Sequence, residues 1–393
     1  MVSPAELSTD PAFDPASIAA TTARLVRCRS VNPGGDEILM VRQLLFELEG
    51  LGCETQVVEF AEGRPSIAAV LEGRRRSPRI VLNGHMDTVA ADDPVTWRHD
   101  PFAGTEVDGV VWGRGAVDMK GGLAAQLACA RALAPRRGIL GGTVILQFAA
   151  GEECGEPGTL SLLRRGFGGD WGIVTEPTNL RLATAAKGVA WLEVKVAGNP
   201  AHAGVGSERD PLKVLGGVLS ALDRHSHEIA RRRHPLLGSP RCTVTMLRAG
   251  TQHNATAEQV TLMIDRRLIP GETPESALEE IRTVIDAVVA RDFETHVELR
   301  HHAFEPAEVS DGELVANVEK AATTVTGKPV ERIGTPFGSD VRNLIHDAGM
   351  EAVTFGPGDM GLMHCVDERV EVAQVRDAAL VLAMTASELL GEG

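Results

Sequence analysis

Arg79-Ile80-Val81-Leu82-Asn83-Gly84 is a short apolar run, and His85-Met86-Asp87 follows it directly. A run of this length, rich in β-branched residues, reads as a strand buried on both faces. The pattern recurs twice. Thr143-Val144-Ile145-Leu146-Gln147-Phe148-Ala149-Ala150 leads into Glu152-Glu153, and Trp171-Gly172-Ile173-Val174-Thr175 leads into Glu176. Between the first two runs, Gly121–Leu133 is Ala/Leu-rich with a helical period. Helices alternating with buried strands predict an α/β sheet, whose site is formed by polar groups at the carboxyl ends of the strands.

Working outward, apolar spacing predicts helices over 14–27 and 37–48, with Pro33-Gly34-Gly35 between them, then strands over 55–60 and 67–71. The texture changes near Lys187. From there the order is strand 189–196, helix 211–231, strands 241–248 and 259–265, helix 274–291 and strand 296–300. That is β-α-β-β-α-β, the ferredoxin-like plan. After Pro306 the α/β texture returns, with a helix over 313–325, a strand over 352–355 and a last helix over 375–390. The expected organisation is a discontinuous α/β domain, 1–185 and 302–393, with a ferredoxin-like domain, 186–301, inserted into it.

Composition narrows the function. The 393 residues carry 39 Lys+Arg against 54 Asp+Glu, a net charge of -15. A surface that tracks phosphates needs the opposite surplus, so no nucleic-acid partner is expected. Six cysteines without a CxxC pair argue against a disulfide framework or a zinc ribbon. No stretch offers about 18 uninterrupted apolar residues, so no membrane partner is expected. The start Met1-Val2-Ser3-Pro4-Ala5-Glu6 lacks a basic, apolar leader pattern, which gives a cytoplasmic expectation.

Five spots place acidic or imidazole groups at strand ends or in Gly-rich turns: His85 with Asp87, Asp118, Glu152-Glu153, Glu176 and His364. Parallel packing would bring three of these spots to one edge. Two imidazoles with several carboxylates suit zinc, or cobalt or manganese in its place. There are more carboxylates than one ion uses, so a pair of divalent ions about 3.5–4 Å apart is expected.

These residues carry a resemblance. Gly84-His85-Met86-Asp87-Thr88-Val89, then Gly113-Arg114-Gly115-Ala116-Val117-Asp118-Met119-Lys120-Gly121-Gly122, Glu152-Glu153, Thr175-Glu176-Pro177-Thr178, and Phe355-Gly356-Pro357-Gly358 ahead of His364 closely resemble the M20 metallopeptidase family. That family includes acetylornithine deacetylases, succinyl-diaminopimelate desuccinylases, aminoacylases and carboxypeptidase G2-like enzymes. The resemblance implies that His85 and Glu176 bind one zinc, Glu153 and His364 the other, and that Asp118 bridges them. It implies that 1–185 and 302–393 form the catalytic domain, that 186–301 form a lid and dimerisation domain, and that the peptide between Asp118 and Met119 is cis. Asp87 would stand behind His85, its carboxylate accepting the imidazole N–H. Glu152 would be the general base. His202, in Gly198-Asn199-Pro200-Ala201-His202-Ala203-Gly204, would reach the partner subunit's site and stabilise the oxyanion. Arg267, within Asp265-Arg266-Arg267-Leu268-Ile269-Pro270, and Asn254 would hold the substrate carboxylate. Ser339, Asp340 and Arg342 would line the substrate pocket.

Two departures from the family pattern bear on the substrate. Asn254-Ala255-Thr256-Ala257 lacks the usual apolar-Pro continuation, and Arg369 stands in His364-Cys365-Val366-Asp367-Glu368-Arg369 where the family has an aromatic. The expected activity is hydrolysis of the amide bond of a small N-acyl amino acid by a homodimer. A carboxypeptidase or dipeptidase, and a ureido- or carbamoyl-amidohydrolase, are alternatives on the same scaffold. A non-catalytic binding relative would have no need of Glu152.

Overall fold

The structure is a computed structural model and describes residues 4–34, 37–91, 94–309 and 311–391; Gly35, read above as part of a helix stop, lies outside them. The chain forms two compact units. One comprises Met1–Thr184, Val309–Ile333 and Ser339–Gly393, the other Ala185–Glu308 and Gly334–Gly338.

The first unit is α/β. Four parallel strands lie side by side in the order Thr143–Ala149, Arg79–His85, Trp171–Val174, Glu351–Thr354. Arg64–Glu72 and Glu54–Ala61 extend the sheet antiparallel beyond Thr143–Ala149. Every residue of Thr143–Ala149 is buried, as are all of Arg79–His85 but the first. This is why these segments read as continuous apolar runs rather than alternating ones. Helices Gly121–Leu133, Glu313–Thr326 and Val372–Leu390 pack together and share one core with Pro15–Arg27. Gly122 is required by this packing, because a Cβ there would run into the Thr175 carbonyl. Since the four parallel strands point the same way, the residues that follow His85, Ala149, Val174 and Thr354 emerge at one edge.

The second unit has the order Gly188–Ala197, Pro211–Ile229, Arg241–Ala249, Gln259–Leu268, Pro274–Asp286, Glu294–Phe304. Its four strands form one antiparallel sheet, with Arg241–Ala249 at one side, then Gln259–Leu268, Gly188–Ala197 and Glu294–Phe304. In Gln259–Leu268 burial alternates along the strand, and the buried face packs on the two helices. Asp210 and Thr273 cap those helices, each accepting backbone N–H bonds in the first turn, with Pro at the following position.

Candidate metal centre and active site

Every strand-end residue singled out above lies in the first unit. His85 ends its strand and is 2% exposed, Asp118 is 4% exposed and Glu176 is 3% exposed. The His85 Nε2 lies 3.0 Å from Asp118 Oδ1 and 3.4 Å from Glu176 Oε1. On the other side of the same carboxylate, Asp118 Oδ2 lies 3.1 Å from His364 Nε2. Glu153 Oε2 is 3.2 Å from that nitrogen. Two three-donor groups therefore meet, His85/Asp118/Glu176 and Asp118/Glu153/His364, with Asp118 common to both.

Local structure aims each donor. Glu152 and Glu153 sit in a single turn, Glu152–Cys154, flanked by Gly151 at φ 82° and Gly155 at φ 66°. Only glycine adopts such angles without steric cost. Asp118 lies in an irregular turn, Ala116–Lys120, and its peptide bond to Met119 is cis. Glu368 Oε1 accepts the backbone N–H groups of Val117 and Asp118, both at 3.0 Å. Glu368 is fully buried and pairs with Arg114 Nη1 at 2.6 Å. A second Arg114 nitrogen reaches the His364 carbonyl at 3.5 Å, and its guanidinium lies 5.0 Å from the centroid of the Trp97 ring. This one buried ion pair thus ties the loop bearing Asp118 to the loop bearing His364. His364 itself has φ 59°, a conformation that costs a non-glycine residue of order 1 kcal/mol or more.

The electrostatics reflect an excess of acid. Burial alone would raise the Asp118 carboxyl, but hydrogen bonds from His364 and His85 pull it well below the usual carboxylate range. Burial pushes Glu152 up, with the like charges of Glu176, Asp340 and Glu153 adding to it. Burial likewise raises Glu153, and it raises Glu176 to about 7. His364 is raised to about 10 by its bonds to Asp118 and Glu153, and the adjoining carboxylates raise His85 despite its burial. Carboxylates in excess of two imidazoles make a cluster that a divalent cation would neutralise.

The donor set fits such cations. Carboxylates and imidazoles are the ligands zinc and its substitutes prefer. Glu176 Oε2 is buried with no hydrogen-bond partner among the described residues, a costly state unless something else occupies it.

Asp87 behaves differently from the expectation. The His85 Nδ1 is 2.9 Å from the backbone carbonyl of Asp87 and 3.6 Å from its carboxylate, so the carbonyl, not the side chain, is the acceptor. The carboxylate faces the glutamate turn instead. Its Oδ1 accepts from Gly151 N (3.0 Å) and Glu152 N (3.2 Å), and its Oδ2 from Glu153 N (3.1 Å). Three successive N–H groups converging on one carboxylate outcompete a single ring nitrogen.

Of the remaining candidates, Asp340 is buried in the first unit and accepts from Thr159 Oγ1 at 2.6 Å, while Ser339 Oγ is buried without a partner among the described residues. Arg342 donates to the Ser339 carbonyl at 3.0 Å. His202, Asn254 and Arg267 belong to the second unit. There His202 is exposed and its segment pairs with that of Asn254, whose carbonyl accepts from Ala203 N at 2.8 Å. The Arg267 guanidinium donates twice to Asp265, at 2.8 and 3.0 Å. Among the buried residues around the centre, Arg114, Glu368 and Asn32 carried no assignment from sequence. Arg114 and Glu368 both lay inside quoted motifs, which was the available signal; nothing in the sequence marked Asn32.

The sequence pattern of peptidase family M20/M25/M40 matches residues 81–388. The succinyl-diaminopimelate desuccinylase of Paracoccus denitrificans is 31% identical over 385 residues, covering 94% of this chain and 97% of the relative. The N-formyl-4-amino-5-aminomethyl-2-methylpyrimidine deformylase of Bacillus subtilis is 27% identical, covering 84% of each. Among solved structures, an M20 family metallo-carboxypeptidase from Sulfolobus solfataricus superposes with a TM-score of 0.80 at 17% identity, over 94% of this chain and 98% of that one. A dinuclear metal-binding M20 peptidase from Bacillus subtilis gives 0.73 at 19% identity, over 97% and 99%. No helix among the described residues is long and apolar enough to cross a membrane.

Proposed function

Because the chain belongs to peptidase family M20/M25/M40 and is a metal-dependent hydrolase of C–N bonds, we propose that it removes the acyl group from a small N-acyl amino acid. The observation that carries the reading is the pair of three-donor groups sharing Asp118, with Glu152 next to Glu153 in the same turn. Two relatives are named for removing a succinyl and a formyl group, which supports acyl removal over cleavage of longer peptides.

His85 and Glu176 would hold one cation, Glu153 and His364 the other, and Asp118 both, with zinc the first choice and cobalt or manganese able to replace it. When bound, such a pair lowers the pKa of the attacking water and polarises the scissile carbonyl. Glu152 takes the proton from that water and returns it to the departing nitrogen. Its burial among like charges raises its proton affinity, which suits a group that must both accept and release a proton. Ser339, Asp340 and Arg342 line the pocket in this reading. Arg267 and Asn254 orient the substrate carboxylate, Arg267 exchanging part of its bonding to Asp265 for it. His202 stabilises the oxyanion in the partner subunit's site, so the working form is a homodimer.

The test is primary-amine release by zinc- or cobalt-loaded protein from N-formyl, N-acetyl, N-succinyl and N-carbamoyl amino acids and from dipeptides. Turnover confined to one acyl class is expected, falling about a thousandfold in Glu152→Ala with metal content retained. Release from dipeptides alone would move the activity to the peptidase alternative, and no release from any compound would contradict hydrolysis. A fully active monomer would remove the role given to His202.

A further inference from the structure

Behind the glutamate turn lies a closed circuit of polar groups, buried at Asp87, Asn32 and Glu37 and half-buried at Arg64 and Glu156. The Asp87 carboxylate, which receives the N–H groups of Gly151, Glu152 and Glu153, has a fourth donor: Asn32 Nδ2, at 2.7 Å from Oδ2. The same Asn32 nitrogen donates its other hydrogen to Glu37 Oε1 at 3.0 Å. Glu37 Oε1 is paired with Arg64 Nη2 at 2.9 Å, and Arg64 also pairs with Glu156. Glu156 closes the circuit, since its backbone N–H donates to the Gly151 carbonyl at 2.7 Å. Asp87 and Glu37 are fully buried and Asn32 is 4% exposed.

The chemistry at the centre of this circuit selects an amide. Two buried carboxylates, Asp87 and Glu37, are brought within reach of one atom, where they would repel unless donors stand between them. A primary amide nitrogen carries two hydrogens and can serve both; a hydroxyl carries one, and a third carboxylate none. Asn32 is itself anchored. Its backbone N–H donates to the Thr88 carbonyl at 2.8 Å, Thr88 N to the Ser30 carbonyl at 2.9 Å, and Ser30 Oγ to the Met86 carbonyl at 2.7 Å. The segment bearing Asn32 is thus laced to the segment that follows His85.

We propose that Asn32 is a positioning residue for the reaction: it orients the Asp87 carboxylate, which in turn sets the turn carrying Glu152 and Glu153. The proposal rests on the roles given to those two glutamates above. Asn32 touches neither substrate nor cation and acts through Asp87. Removing it leaves Asp87 one donor short and free to rotate, so the turn loosens while the donors on the strand ends stay in place.

Two variants of the full-length, zinc-loaded protein test this, Asn32→Ala and the near-isosteric Asn32→Asp. Hydrogen exchange is followed in peptides covering 149–157 and, as reference, 143–149. The expected result is exchange at 151–153 faster by about tenfold with the reference strand unchanged. With it, kcat falls about 10- to 100-fold while KM moves less than about threefold. Unchanged exchange at 151–153 would overturn the proposal, as would faster exchange throughout the chain or a fold lost in both variants, which would make Asn32 merely structural. Should the wild-type protein turn over no amide, the proposed function fails, and the exchange measurement alone still decides whether Asn32 sets the turn.

Discussion

Each unit of the molecule buries a cluster of charged side chains, and the two clusters differ in balance. In the second unit Arg266, 1% exposed, donates to Glu272 at 2.7 Å, and Arg232 pairs with Glu272 and with Glu280. Glu272 also accepts the Ile269 N–H at 3.1 Å. Guanidinium answers carboxylate there, and although burial opposes it, bonds from His225 and Arg232 bring the Glu280 carboxyl down to about 2. In the first unit three carboxylates, Asp118, Glu153 and Glu176, face two imidazoles and, among the described residues, no guanidinium or ammonium partner of their own. Glu153 and Glu176 are pushed up rather than down, and one oxygen of Glu176 is left without a partner among the described residues. A balanced cluster is a structural device. An acid-rich one has surplus negative charge that the chain does not answer, and that surplus is what a divalent cation would meet.

The contrast is most sharply broken by mutating the balanced side. Arg266→Met leaves Glu272 and Glu280 short of a buried cation, and should lower unfolding stability by about 3 kcal/mol in a urea titration while leaving metal content unchanged. If Arg266→Met also stripped the metal, the two clusters would not be independent.

A smaller effect should appear in the pH dependence of the metal-free protein. The folded chain raises Glu176 from 4.5 to about 7 and His364 from 6.5 to about 10. Both shifts make the folded state bind more protons than the unfolded one, so stability falls as pH rises. The Glu176 contribution is full below 4.5 and lost through about 7; that of His364 is full below 6.5 and lost through about 10. Urea midpoints should decline across this window in metal-free protein and hold steadier with zinc present, where cations replace protons. Equal slopes in both forms would mean the cluster does not exchange protons for metal.

What could be read from sequence follows from what burial does to a strand. Arg79–His85, Thr143–Ala149 and Trp171–Val174 are covered on both faces, so they appear as unbroken apolar runs, and the polar residue after each stands out against them. In the second unit the elements show by a different pattern, period two in Gly188–Ala197 and Gln259–Leu268 and period 3.6 in Pro211–Ile229 and Pro274–Asp286. The small sheet of Thr105–Val107, Val110–Trp112 and Arg369–Glu371 went unread, since three-residue strands are too short to show a period. Proximity of Asp87 to His85 in sequence suggested that its carboxylate holds the imidazole. The backbone carbonyl does that, and the carboxylate reaches a turn more than 60 residues further on. Asn32 was invisible for the same reason: its partner Asp87 is 55 residues away, and a lone Asn before Pro carries no mark of what it will touch.

The most direct measurement is a zinc titration of metal-free protein, counting ions per chain in the wild type and in Asp118→Asn. A shared carboxylate between two three-donor groups predicts about two ions per chain, with both weakened together by the single substitution. One ion per chain, or loss of only one of two in Asp118→Asn, would contradict a centre built around Asp118.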